Sequence, residues 1–224
     1  MKINLLTKLL FALAFVPTFS NAQGTMIFDQ QSSDESNGGT AGNIIQDWQP
    51  TGQSFTPSLA GVSFVRLQLF DANRNNGTGV TIYVNLRSGS ITGSIVDSTA
   101  PVALPDNFGL PLSAGYVTFL FPNTVPVQPG ATYFFEPVVQ SGDPWAVVGG
   151  SFNYPGGDEY LRGSAFPSDY WFREGIIVPE PSISVLLILA AGLCVQSRRS
   201  RRHAVQFCYA RSSHNSERKQ GGSV

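Results

Sequence analysis

Val80-Thr81-Ile82-Tyr83-Val84-Asn85-Leu86-Arg87 decides the fold class. Val80, Ile82, Val84 and Leu86 fall on one side of an extended chain and the remaining four residues on the other. That is the period of two of a half-buried strand. Upstream, Val62-Ser63-Phe64-Val65-Arg66-Leu67-Gln68-Leu69-Phe70 alternates less evenly. Val62, Phe64, Leu67 and Leu69 are expected inward, with a shift of phase near Val65 that predicts a bulge. The connection between the two, Asp71-Ala72-Asn73-Arg74-Asn75-Asn76-Gly77-Thr78-Gly79, consists of turn-forming residues. Downstream, residues 116–121 and 132–139 make a second pair, joined by a proline-rich stretch. Pro137 has no N–H to give to a ladder, which predicts an edge position for its strand. Shorter candidates lie at 26–29, 53–56, 93–98, 145–148 and 170–173. No segment of the body holds a 3.6-residue period, and no repeat is visible. The expected fold is all-β, an antiparallel β-sandwich of about eight to ten strands, jelly-roll-like.

This sandwich is expected to occupy residues 23–177 of the 224-residue chain. About 155 residues suffice for one well-buried core and leave little for a second domain. Within it five arginines (Arg66, Arg74, Arg87, Arg162, Arg173) stand against thirteen carboxylates, a net charge of −8, with no lysine. Such a body does not neutralise phosphates, so nucleic acid is not an expected partner. Both histidines (His203, His214) and both cysteines (Cys194, Cys208) fall outside it. Hydrolysis that relies on imidazole or thiolate therefore has no residues to use there, and no cofactor is expected. For the same reason the body is expected to fold without a disulfide.

The two ends read as targeting segments. Lys2 and Lys8 precede an apolar run over 9–19, and Ser20-Asn21-Ala22 supplies small residues for cleavage. Residues 1–22 thus read as a signal peptide, with the Sec export machinery and signal peptidase as partners. At the other end Val178-Pro179-Glu180-Pro181 is followed by an apolar stretch and then by Arg198, Arg199, Arg201 and Arg202. The prolines interrupt any continuing strand or helix. Residues 182–197 are expected to form a single, short membrane helix, and the arginines a cytoplasmic stop. Residues 203–224 are polar, basic and aperiodic, and are expected to be disordered.

The order of features over 178–202 resembles the PEP-CTERM sorting signal of Gram-negative bacteria. The resemblance implies recognition and cleavage by an exosortase-type membrane protease. It implies an inner-membrane, single-pass precursor that is then released to the cell surface or extracellular matrix. Members of that family end at the arginines, whereas here 22 further residues follow. The body's blocks at 53–56, 62–70, 80–88, 130–133 and 156–160 resemble a loose group of secreted bacterial β-sandwich domains, a likeness that carries no catalytic residues. The expected function is that of an exported, non-enzymatic surface or matrix protein.

Three features of the body invite chemistry. Asp71-x-Asn73-x-Asn75 resembles the opening of a calcium loop, but Asn76 stands where glycine would and Ile82 where a bidentate glutamate would. A polar turn accounts for the same residues. Trp145, Tyr154, Tyr160, Tyr170 and Trp171 lie near Asp143, Asp158, Glu159 and Asp169 in sequence. Trp145, Tyr160 and Trp171 are candidates for stacking on sugar rings, which would make the body a carbohydrate-binding module holding extracellular polysaccharide. Core packing is the alternative use of the same rings. A glycosidase would need two carboxyl groups about 5–10 Å apart. Asp158 and Glu159 are adjacent and would face opposite sides of a strand.

Overall fold

In the computed structural model, which describes residues 24–109, 115–150 and 152–180, the described chain is all-β and contains no helix. Its strands are β1 (Thr25–Gln31), β2 (Gly42–Ile44), β3 (Gly52–Phe55), β4 (Gly61–Asp71), β5 (Val80–Ser88), β6 (Ser94–Ser98), β7 (Val102–Leu104), β8 (Gly115–Pro126), β9 (Tyr133–Gly142), β10 (Trp145–Val148), β11 (Glu159–Leu161), β12 (Ser164–Phe166) and β13 (Phe172–Val178). One sheet is built on β4, which has β8 along one edge and β13 and then β10 along the other. β1 pairs with β13 and β2 with β10. The second sheet runs β12-β11-β3-β9-β5-β6, with β7 beside β6 on the same edge of β5. Every pairing is antiparallel.

The inward side chains of the two sheets form one core. Val65, Leu67 and Leu69 of β4 meet Ile82, Val84 and Leu86 of β5, as the period of two requires. Phe135 of β9 bridges the sheets, its ring centroid 6.1 Å from Phe55 and 5.2 Å from Phe172. The expected bulge is present, but it lies between Val62 and Phe64 in the pairing with β8. It turns Phe64 to the outer face, where Phe28 meets its ring edge-on at 5.5 Å, and brings Val65 into the core.

Pro137 corrects the edge expectation. β9 lies between β3 and β5. Opposite Pro137, the N–H and C=O of Val84 are turned the other way, to Thr99. Pro137 therefore faces the β3 side, where β3 has already ended, and its carbonyl accepts from Gln49 Nε2 at 2.8 Å. The missing N–H leaves no broken bond.

The outer face of the first sheet is partly roofed by residues 33–41, which connect β1 to β2. The sandwich closes on its own ends. Gly24–Val178 forms one compact unit, in which Thr25 at the start of β1 lies opposite Val178 at the end of β13.

Candidate functional site

The last strand carries the chain outward from the core. Phe172 points into the core along β13 and Glu174, two residues on, is fully buried, whereas Arg173 lies on the outer face. Val178 is the strand's last residue, and Val178, Pro179 and Glu180 are all exposed. Proline directly after the strand stops further pairing. Pro181, the apolar stretch, Arg198, Arg199, Arg201 and Arg202, residues 1–22 read as a signal peptide, and residues 203–224 lie outside the described residues. Among the described residues no helix is long and apolar enough to cross a membrane.

Glu174 is fully buried beside the paired termini. Its Oε1 accepts the backbone N–H of Gln30 at 3.1 Å, and its Oε2 has no partner among the described residues. Burial, aided by the nearby Asp29 carboxylate, pushes its pKa up to about 8. Asp29, the bulged residue of β1, is the opposite case. Partial burial acts against its charge, but the Ser58 hydroxyl and the backbone N–H groups of Leu59 and Ser58 hold its carboxyl below the ordinary range.

The structure brings together four of the residues singled out late in the chain. Glu159 of β11 accepts from Asn43 Nδ2 of the first sheet and from the Ser168 hydroxyl, each at 2.5 Å. Asp169 accepts from Gln53 Nε2 and from the backbone N–H of Tyr154, each at 2.7 Å. Gln53 Oε1 accepts from the N–H of Tyr170, whose hydroxyl meets Thr51 at 2.6 Å. Burial raises the pKa of Glu159, of Asp169 and of both tyrosines. Both carboxylates are almost wholly enclosed, and each is held by two donors. The network ties the sheets together at one end, as satisfied polar groups in a core do. Asp158 is exposed while Glu159 is buried, the alternation expected of neighbours on a strand.

Trp145, Tyr160 and Trp171 do not share a face. Trp145 is a core residue, its ring stacked on Phe108 at 6.0 Å. Tyr160 is half-buried on the other sheet, edge-on to Phe134. Trp171 lies on the outer face of the first sheet yet is fully buried beneath residues 33–41. Tyr116, which sequence reasoning passed over as an ordinary strand residue, lies 4.5 Å from it.

At the Asp71 loop both carboxylate oxygens are engaged. Oδ1 accepts the N–H of Asn73 at 2.8 Å and Oδ2 that of Asn107 at 2.9 Å. Asn75 has φ 61° and directs its N–H to Asp106. These are the bonds of a polar turn, and no group of three metal-ligating side chains occurs among the described residues. Calcium is accordingly expected to leave the melting temperature unchanged, because only a ligand bound to the native state raises it. A rise of several degrees in millimolar calcium would show that the loop reorganises around the ion.

No family model matches the chain, and no curated protein matches it.

Proposed function

We propose that the chain is an exported, non-enzymatic protein of the cell surface or extracellular matrix. Its body is released from an inner-membrane precursor by cleavage at Val178-Pro179-Glu180-Pro181. The observation that carries this reading is the pairing of Thr25 with Val178. The first and last of the described strands close the sandwich on each other, so removal of residues 1–22 and of the chain beyond the motif leaves every described strand in place. Val178, Pro179 and Glu180 are exposed, which leaves these three residues of the motif open to a protease. The machinery implied is Sec export and signal peptidase at one end and an exosortase-type protease at the other. The strand orders β1-β13-β4-β8 and β3-β9-β5-β6 we read as a jelly roll, in which β3, β4 and β5 alternate between the sheets, as do β8, β9 and β10, while β5 and β6 stay in one sheet.

Mass spectrometry of the protein from its own host tests the cleavage. The mature envelope form is expected to begin near Gln23 and end near residue 180. Replacing Pro179, Glu180 and Pro181 by alanine is expected to leave uncut precursor in the inner membrane. Peptides from Arg198 onward, still joined to the mature body, would refute the reading.

A further inference from the structure

We propose that residues 33–41 are a lid over a saccharide-binding surface on the outer face of the β4 sheet, and that the ligand bears a uronic-acid carboxylate. The floor consists of Trp171, Tyr116, Phe70, Val148 and Phe152, a cluster separate from the core. Trp171 is 0 % exposed, although it stands on the side of the sheet that faces away from the other sheet. Phe70, Tyr116 and Phe152 pack around it and the lid lies over it, and the lid is poorly equipped for the task. Its sequence, Ser-Asp-Glu-Ser-Asn-Gly-Gly-Thr-Ala, has no apolar side chain larger than alanine, and most of its residues are exposed. A segment that buries so little apolar surface of its own belongs to the part of a fold that opens most readily.

The contacts beneath the lid are those a hydroxylated, anionic ligand would make. Trp171 Nε1 donates to the Asp34 carbonyl at 3.1 Å, and the Tyr116 hydroxyl donates to the Glu35 carbonyl at 3.2 Å. The Gln68 amide takes the N–H of Gly39 at 2.9 Å and gives to its carbonyl at 3.2 Å. Arg66 Nη2 pairs with Glu35 Oε1 at 2.8 Å, while Nη1 donates to Thr118. Thus the lid supplies carbonyl acceptors, one N–H donor and one carboxylate to four side chains of this face, Trp171 and Tyr116 of the floor and Gln68 and Arg66 beside it.

It does so incompletely. Arg66 Nε is buried and has no partner among the described residues. A guanidinium offers a two-pronged fork to a carboxylate, and Glu35 engages only one prong. Arg173 lies opposite Arg66 in the ladder, so two of the body's five arginines share this face of an otherwise acidic domain. A uronate would answer both needs, its carboxylate on the Arg66 fork and its hydroxyls on Trp171, Tyr116 and Gln68. Its apolar ring face would cover the aromatic floor, which the lid covers with two glycines. A Cβ on Gly38 would approach Tyr116 Oη to 2.6 Å, and one on Gly39 would approach Val148 Cγ1 to 2.6 Å. Sites for small ligands have this make-up of aromatic walls and a few convergent polar groups.

The test uses the full-length chain in mild detergent, titrated with tetragalacturonate. Xylotetraose serves as the neutral comparator and polyglutamate as the acidic peptide. Glu35→Gln frees Arg66 from its internal competitor at an exposed position and is expected to tighten tetragalacturonate binding about tenfold. Arg66→Gln is expected to weaken it at least about tenfold. Gly39→Val should lift the lid and make Trp171 fluorescence quenchable by iodide, with tetragalacturonate restoring protection. If that variant does not fold, Glu35→Gln decides alone. The proposal is overturned if Glu35→Gln binds no tetragalacturonate, if xylotetraose binds equally well, or if polyglutamate competes as strongly per carboxylate.

Discussion

Raising the pH from 4.5 to 8 is expected to cost the sandwich about 4 kcal/mol through Glu174 alone. The carboxyl is fully buried, its Oε2 is unpartnered, and its pKa rises from 4.5 to about 8 on folding. A group whose pKa is raised in the folded state contributes fully below its unfolded pKa. That contribution is lost as pH climbs through the folded value, so the window here is 4.5 to 8. Glu159 and Asp169 are shifted the same way by burial and steepen the decline. Asp29 works in the opposite direction, since its lowered pKa costs stability only as pH falls through the acid range. Maximum stability is therefore expected at about pH 4–5. Urea unfolding at pH 5 and pH 8 measures the effect, and Glu174→Gln should flatten most of the slope. Equal wild-type stability at both pH values would mean that water or a shifted backbone already solvates the carboxylate.

Phe135→Ala is expected to destabilise the body by about 3–5 kcal/mol, which is a large part of a typical domain's stability. Phe135 is fully buried and touches Phe55 within its own sheet and Phe172 across the sandwich. Removing the ring opens a cavity where the two sheets meet, and the paired strands on either side have little freedom to close it. The same change at exposed Phe166 should fall within about 0.5 kcal/mol. Differential scanning calorimetry of the two variants distinguishes them. A loss below about 1.5 kcal/mol at Phe135 would show that the seam relaxes as a fluid core would.

The long strands were legible because their side chains alternate. β4, β5, β8 and β9 coincide with the apolar periodicities at 62–70, 80–87, 116–121 and 132–139. β2, β7, β11 and β12, of three residues each, carry no such signal, since a stretch like Gly42-Asn43-Ile44 becomes a strand only by lying against β10. The candidate strand at 170–173 was legible in part, its end becoming the start of β13, and there Tyr170 and Phe172 face inward and Trp171 outward. What becomes of Trp171 was not, because a polar segment more than 130 residues earlier covers it. Glu174 was hidden for a related reason. A charged residue in a strand reads as outward-facing, and only the extension of β13 to Val178 places it inward. At the candidate site, sequence grouped Trp145, Tyr154, Tyr160, Tyr170 and Trp171 with Asp143, Asp158, Glu159 and Asp169, and of these the fold joins Glu159, Asp169, Tyr154 and Tyr170 in one network. Sequence could not reveal that their bonding capacity is spent on Gln30, Asn43, Thr51, Gln53 and Thr56 from another part of the chain.

The antiparallel pairing of Thr25 with Val178 also sets the mechanical character of the domain. Tension applied between its two ends would load the β1–β13 ladder one rung at a time, from the Thr25 end toward Gln31. Strands peeled in sequence yield at low force, whereas strands pulled past each other share the load among all their bonds. A body held by its C-terminus alone carries no tension across this ladder. A body gripped at both ends would unzip there first, shedding β1 and uncovering Glu174 while the rungs between β4, β5, β8 and β9 remained closed.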